Sequence, residues 1–263
     1  MDTEEQNLRV AHALQVESKA RLVTCATPPK VLAFDVFGTV VDWRTSVIRE
    51  SAAFLAQIGR ADADAAEFSD SWRFRYIDVM PAFRESGRGF VALDVLHREM
   101  LEQTLHTFAI DPAAIDDDLL SEWVRAWRRL DPWPDAVAGL TRLKTRFPVV
   151  TLSNGNIALM VAMARRAGLP WDAILGAEMT RTYKPDPQAY LGTAAILGVA
   201  PEEICLVAAH HSDLAAARAC GFLTAHIDRP QEYGGRRAPD ADAAQNWNWI
   251  TDSLTGLADL LGC

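Results

Sequence analysis

The chain has 263 residues, of which 49% are hydrophobic and 23% are charged. This composition excludes a disordered, collagen-like or coiled-coil protein, and at about 150 residues per domain the length predicts roughly two domains. The formal net charge of −9 disfavours nucleic acid and anionic membranes as partners, because an excess of acid repels phosphate groups. No apolar run approaches the ~20 residues that span a membrane.

Residues 1–28 are predicted to form an N-terminal extension, ended by Pro28 and Pro29. The extension begins with acidic residues and lacks the apolar stretch of a secretory signal. The cysteines form no Cys-x-x-Cys pair and are widely spaced: Cys25, Cys205, Cys220 and Cys263. We therefore expect no disulfide framework and predict a cytoplasmic location.

Short apolar runs alternate with helical patterns along most of the chain. The runs are too short for helices and indicate buried strands at residues 31–34, 149–152, 204–207 and 223–227. Helical patterns cover residues 135–146, 156–167, 187–197 and 213–219. This alternation predicts an α/β fold, with a Rossmann-like parallel sheet and helices on both of its faces.

One long segment breaks the alternation, because it shows helical periodicity and no convincing strand. Its four amphipathic stretches lie at residues 46–58, 63–79, 93–108 and 117–129. We therefore predict a helical cap domain at residues 45–130, inserted after the first strand. The core domain would then comprise residues 29–44 and 131–263.

Ligands of parallel sheets bind outside the carboxyl ends of the strands, and the segments found there carry an ordered set of motifs. These are FDVFGTVVD at 34–42, LSNG at 152–155, YKPDPQAY at 183–190, and Asp213 eight residues before Gly221. In this order they resemble the four motifs of the haloacid dehalogenase superfamily, over about residues 30–230. The resemblance implies the fold predicted above, with Asp35 as a nucleophile.

Most members of that superfamily are phosphatases, from which this chain departs at two positions. Phosphatases usually carry an acid two residues after the nucleophile and commonly another four residues before the last aspartate. Phe37 and Ala209 stand at these positions, and neither side chain can bind Mg²⁺ or donate a proton. These departures argue against a Mg²⁺-dependent phosphatase, which is kept as the alternative hypothesis. A non-catalytic binding protein is less favoured, because Asp35, Lys184 and Asp213 are all present.

The chain resembles more closely the L-2-haloacid dehalogenases of type II. That group has phenylalanine or tyrosine two residues after the nucleophile, which Phe37 matches, and a Trp-Arg pair on a cap helix, matched at 72–73. Tyr190, six residues after Lys184, fits the same pattern. One departure is Ala-Ala-His at 208–210, where the group has Ser-Ser-Asn near the hydrolytic water.

The resemblance implies hydrolysis of short 2-haloalkanoic acids to 2-hydroxy acids, with no cofactor and no metal. Asp35 would displace halide from the α-carbon and form an ester, which water then hydrolyses. Lys184 would keep Asp35 ionised and stabilise the oxyanion. Asp213, helped by His210, would activate the water.

The remaining roles concern binding. Arg73 and Asn154 would hold the departing halide, and Thr39 would orient the nucleophile or the water. Ser153 and the N–H groups of Val36 and Phe37 would bind the substrate carboxylate.

A further hypothesis is that His210 and His211, with aromatic neighbours, form a small halide pocket that accepts fluoride. The partners implied are a haloacid and its halide product, and relatives suggest a homodimer.

Overall fold

The computed structural model describes residues 28–263, apart from the side chains at positions 78, 82, 84 and 85. The predicted extension, up to residue 27, and Cys25 lie outside the described residues. Five parallel strands form one sheet in the order β4-β1-β5-β6-β7. They are β1 (Val31–Phe34), β4 (Val149–Thr151), β5 (Ile204–Ala208), β6 (Leu223–Ile227) and β7 (Trp249–Thr251).

A helical segment separates β1 from β4. It contains α1 (Trp43–Gln57), α2 (Ala65–Glu85), α3 (Leu93–Thr107), α4 (Asp117–Val124) and a 3-10 turn (Arg125–Arg128). Helix α2 continues beyond its predicted end and through Pro81, and Phe83 in its last turn packs edge-on against Tyr183 at 5.9 Å.

A two-stranded antiparallel ribbon joins the two ends of this segment. β2 (Val41–Asp42) pairs with β3 (Asp131–Pro132), so the chain leaves the sheet and returns to it at adjacent points. The ribbon agrees with an inserted helical unit. The division into domains at residues 45 and 130 stays a prediction.

Strand β1, which lies inside the sheet, shows why the apolar runs are continuous. β1 pairs with β4 on one side and β5 on the other. Its residues alternate between two hydrophobic clusters, with Leu32 and Phe34 in one and Val31 and Ala33 in the other. Helices cover both faces: α5 (Ala136–Leu143), α6 (Ile157–Ala167), the short α7 (Ala177–Thr180), α8 (Pro187–Leu197), α9 (His211–Ala219) and α10 (Leu254–Leu261). The predicted parallel α/β fold is confirmed.

The sequence gives little indication of the last strand and helix. β7 is an edge strand of three residues, in which Trp249 is buried while Ile250 is 55% exposed. A strand packed on one face produces no continuous apolar run.

Between β6 and β7 a long connection, residues 228–248, returns across the carboxyl edge of the sheet and contributes to the site. Within residues 28–263 no helix combines the length and apolar character of a membrane span.

Candidate active site

A cavity of about 430 Å³ lies at the carboxyl edge of the sheet, between that edge and helices α2 and α3. Most of the predicted site residues line it: Asp35, Phe37, Arg73, Asn154, Lys184, Tyr190, His210 and Asp213. The predicted strand ends therefore converge on one place, and the inserted helices form its opposite wall.

Asp35 follows β1 directly and is buried within a set of donors. Its Oδ1 lies 3.0 Å from the Lys184 Nζ, and its Oδ2 accepts a 2.8 Å hydrogen bond from the Thr39 hydroxyl. The His210 Nδ1 lies 3.2 Å from the same Oδ2. Burial raises the pKa of Asp35, but Lys184 and His210 outweigh it and hold this pKa well below its usual range. The carboxylate is thus ionised and ready to act as a nucleophile.

Lys184 lies between two carboxylates. Its ammonium also contacts Asp213 Oδ2, while the Tyr190 hydroxyl donates to Asp213 Oδ1 at 2.6 Å. Burial lowers the pKa of Lys184, but Asp213 and Asp35 outweigh it and raise this pKa above its usual value. Burial raises the pKa of Asp213, and Lys184 offsets only part of that effect. The lysine is therefore a permanent cation within the site.

Three predicted residues lie behind the cavity wall. Thr39 is buried, and its hydroxyl accepts the Ala209 N–H at 2.9 Å while donating to Asp35. The Val36 side chain belongs to the hydrophobic core, so only its main chain could meet a ligand. The Ser153 hydroxyl accepts the Gly155 N–H at 3.1 Å and is buried. The carboxylate-binding role predicted for Ser153 and the Val36 N–H stays a prediction.

Asn154 connects the lysine loop to the inserted helices. Its Oδ1 accepts the Lys184 N–H at 2.7 Å, and its Nδ2 donates to the Tyr76 hydroxyl at 2.5 Å. Tyr76 lies on α2, one helical turn after Arg73. Sequence reasoning missed Tyr76, although its position four residues after Trp72 on a predicted amphipathic helix was the available signal.

Arg73 is held by two aromatic rings. Its guanidinium carbon lies 5.5 Å from the centre of the Trp43 ring and 5.2 Å from that of Tyr76. Within the described part of the chain, no carboxylate or carbonyl forms an ion pair or hydrogen bond with this guanidinium. A cation fixed by aromatic faces in a cavity, with its donors unused, is suited to bind an anion.

His210 is paired with an acid that the sequence did not reveal. Its Nε2 lies 2.9 Å from Oε1 of Glu232, which is 2% exposed and also accepts a 2.9 Å hydrogen bond from Trp43 Nε1. Burial lowers the pKa of His210, but Glu232 and Asp35 outweigh it and raise this pKa well above 6.5. In the resting protein the ring is thus an imidazolium that bridges two carboxylates.

His211 does not contribute to a halide pocket, so that part of the fluoride hypothesis is wrong. The His211 ring stacks on His226 at 4.2 Å and accepts a 3.0 Å hydrogen bond from Trp247 Nε1. The cause is geometric, because His210 precedes α9 and His211 begins it. Adjacent side chains at a helix start point in different directions, and only that of His210 reaches the cavity.

The site does not fit the Mg²⁺ of the superfamily's phosphatases. The Lys184 ammonium lies between Asp35 and Asp213, where a shared divalent cation would have to bind. The side chains of Phe37 and Ala209 supply no ligand oxygen. Across residues 28–263, no three acidic, histidine or cysteine side chains are arranged to hold a metal ion.

Comparison with known proteins agrees with this geometry. The family model for haloacid dehalogenase-like hydrolases matches residues 29–221. The (S)-2-haloacid dehalogenase 1 of Pseudomonas sp. (strain CBS-3) is 32% identical over 212 residues, which cover 78% of this chain and 88% of that protein. The crystal structure of a defluorinating L-2-haloacid dehalogenase superposes with a TM-score of 0.86 and 46% sequence identity. The superposition covers 89% of this chain and 96% of the chain in that structure.

A second crystal structure, also of an L-2-haloacid dehalogenase, superposes with a TM-score of 0.83 and 43% sequence identity. The superposition covers 89% of this chain and 99% of the chain in that structure. The family model, the sequence identity and the structural similarity thus all indicate haloacid dehalogenases. The chain belongs to the haloacid dehalogenase-like hydrolase family.

Proposed function

We propose that the protein hydrolyses (S)-2-haloacids to 2-hydroxy acids through an ester formed on Asp35. The observation that carries the proposal is the state of Asp35, a buried carboxylate kept ionised by Lys184. It shares one cavity with Arg73, a cation whose donors form no hydrogen bond with the described residues and so suit an anion. The relatives named above act on 2-haloacids, which need both a nucleophile and a halide acceptor.

In the first step an oxygen of Asp35 attacks the α-carbon in line with the carbon–halogen bond. The bond to Asp35 forms as the halide leaves with the bonding electrons. Arg73 receives the halide, because a guanidinium donates to an anion. Asn154 joins it by releasing one of the two hydrogen bonds that its Nδ2 donates in the resting site, to the Tyr76 hydroxyl and the Lys184 carbonyl. Thr39 holds Oδ2 of the nucleophile. The substrate carboxylate binds Ser153 and the main-chain N–H groups of Val36 and Phe37.

In the second step water attacks the carbonyl carbon of the Asp35 ester. Both oxygens of Asp213 already accept hydrogen bonds, from Lys184 and Tyr190. His210, by contrast, contacts the nucleophile directly. The proposal therefore assigns proton transfer to His210 with Glu232, and leaves Asp213 to position Lys184.

The charge of Asp35 controls the protonation of His210. Ester formation neutralises Asp35 and removes one of the two carboxylates that raise the His210 pKa, so the Nδ1 proton is released. The neutral ring then accepts a proton from the attacking water. Lys184 stabilises the oxyanion until the intermediate collapses to the 2-hydroxy acid and the Asp35 carboxylate. Each turnover consumes one water and releases one halide and one proton.

A single-turnover experiment in heavy-oxygen water tests this course. With enzyme in excess over 2-chloropropanoate, the label should enter Asp35 while the product keeps the original oxygen of that side chain. Label found in the first product would refute an ester on Asp35. Asp35→Asn should abolish chloride release, and the exposed Asp118→Asn is the matched control. A chelator should leave the rate unchanged.

The proposal extends to a cytoplasmic location and a homodimer. Among the described residues, Cys220 and Cys263 form no disulfide, as is usual in a reducing compartment. The homodimer rests on resemblance alone, and sedimentation equilibrium of the purified protein tests it.

A further inference from the structure

One tyrosine lines the cavity without a part in the proposed reaction steps. Tyr233 lies in the connection 228–248, directly after Glu232, and its buried side chain lines the cavity together with Arg73 and His210. Within the described part of the chain its hydroxyl forms no hydrogen bond, and protein atoms do not enclose it. The hydroxyl is therefore open to the cavity and can donate a hydrogen bond to a ligand there.

Packing fixes the Tyr233 ring against the inserted helices. The ring stacks on Phe74 of α2, with the ring centres 6.3 Å apart, and packs edge-on against the Trp43 ring of α1 at 6.2 Å. An ion pair holds the same segment, because the Arg236 guanidinium lies 2.6 Å from the Asp70 carboxylate of α2. Tyr233 is thus held in a fixed position relative to α2, the helix that carries the halide acceptor.

Tyr233 and Arg73 belong to the same wall of the cavity. The Arg73 guanidinium also contacts the Trp43 ring, and Phe74, on which Tyr233 stacks, is the next residue after Arg73. In-line attack sends the halide away from Asp35, because a displaced group departs opposite the attacking oxygen. Since Asp35 lies at the sheet edge, the halide departs toward the inserted helices. Tyr233 therefore lies on the leaving-group side of the cavity.

The Tyr233 hydroxyl keeps its proton near neutral pH. Burial raises the pKa of Tyr233 to about 12, and the cations His210 and Arg73 only partly oppose this effect. The group is thus a neutral donor on which the charge of Arg73 acts.

We propose that the Tyr233 hydroxyl donates a hydrogen bond to the departing halide, beside the guanidinium of Arg73. As the Asp35 oxygen bonds to the α-carbon, the carbon–halogen bond breaks and both of its electrons go to the halide. Tyr233 stabilises the charge that develops there and keeps its own proton, because hydrogen halides are far stronger acids than a phenol. A donor already fixed in place stabilises such charge without reorganisation. This inference rests on the proposed function and adds a catalytic residue to it.

Single-turnover rates with three leaving groups test the proposal. Enzyme in saturating excess is mixed with (S)-2-chloro-, 2-bromo- or 2-iodopropanoate, so that halide release reports ester formation alone. A hydrogen bond to a halide weakens from chloride to iodide, because the same charge spreads over a larger ion. Tyr233→Phe should therefore slow ester formation about 10- to 100-fold for chloride but only about threefold for iodide. Hydrolysis of the ester, followed by the intact mass of the protein, should stay unchanged.

Tyr183→Phe is the matched control. It removes another buried tyrosine hydroxyl, which donates to the Val91 carbonyl at 2.5 Å and does not line the cavity. This change should alter the three rates by one common factor. Inhibition by added halide gives a second readout, since Tyr233→Phe should weaken inhibition by chloride more than inhibition by iodide.

Three results would contradict these expectations in different ways. A loss of equal size for all three halides in Tyr233→Phe would overturn the proposal, because a structural defect or a bond to the substrate carboxylate acts regardless of the halogen. Unchanged ester formation, with or without slower ester hydrolysis, would overturn it as well. If the unchanged protein releases halide from none of the three substrates, the proposed function itself is wrong.

Discussion

The pairing of His210 with Glu232 leads to a prediction about one step of the reaction. Glu232→Gln should slow hydrolysis of the ester while leaving its formation nearly unchanged. Both the Trp43 N–H and the His210 ring contact the same oxygen, Oε1. A glutamine can keep its Oε1 there, so the substitution removes the charge and preserves both hydrogen bonds.

The magnitude follows from the geometry of the pair. With Oε1 2.9 Å from Nε2, the two charge centres lie about 4 Å apart, which at an effective dielectric constant of about 20 gives ~4 kcal/mol. The pKa of His210 should then fall by up to about three units. A weakened general base should slow hydrolysis by about 10²-fold, at the lower end of what such catalysis contributes.

Rapid mixing with 2-chloropropanoate separates the two steps. The Glu232→Gln variant should release chloride in a burst of one equivalent per site, followed by a slow steady rate. The intact mass of the quenched protein should show the carboxyalkyl group on Asp35. A steady rate equal to that of the unchanged protein, or a loss of the burst itself, would refute the assignment of Glu232 to the hydrolytic step.

Further predictions concern the cations and the turn at the nucleophile. Arg73→Lys should reduce kcat/KM about 10- to 100-fold and weaken bromide inhibition, because a lysine cannot lie flat between two rings; unchanged inhibition would contradict halide binding there. Lys184→Met should shift the acid limb of the alkylation rate from below pH ~4 to higher pH, because only His210 and Thr39 then oppose the burial that raises the Asp35 pKa; an unmoved limb would contradict the charge pairing. Gly38→Ala should lower the free energy of unfolding more than Gly59→Ala, since both glycines have positive φ but only the first would place its Cβ 2.1 Å from the buried glutamate. Equal losses in urea unfolding would show that backbone strain alone is responsible.

The strand ends were predictable because one physical rule covers them. A buried apolar run followed by a polar residue marks the carboxyl edge of a parallel strand, and parallel strands bring such residues together. Asp35 and Asn154 were found in this way, and the structure places both on the cavity. The inserted helices were likewise predictable from their periodicity, whereas Arg73 was singled out only by the resemblance, through the Trp-Arg pair at 72–73.

Glu232 could not be found in this way. It lies in the connection 228–248, which has no hydrophobic period, and its contacts are with residues 22 and 189 positions away. For His211 the prediction was wrong, because a role in the halide pocket was inferred from its position next to His210. The His211 side chain points away from the cavity.

The nucleophile and the halide acceptor come from different parts of the chain. Asp35 follows the end of β1, whereas Arg73 lies on α2. Helix α2 contacts the edge of the sheet through the hydrogen bond between Tyr76 and Asn154. A small tilt of that helix would change the room available to the leaving group without disturbing the attacking oxygen. Descendants of such an enzyme could therefore shift from one halogen to another through mutations remote from the bond being broken.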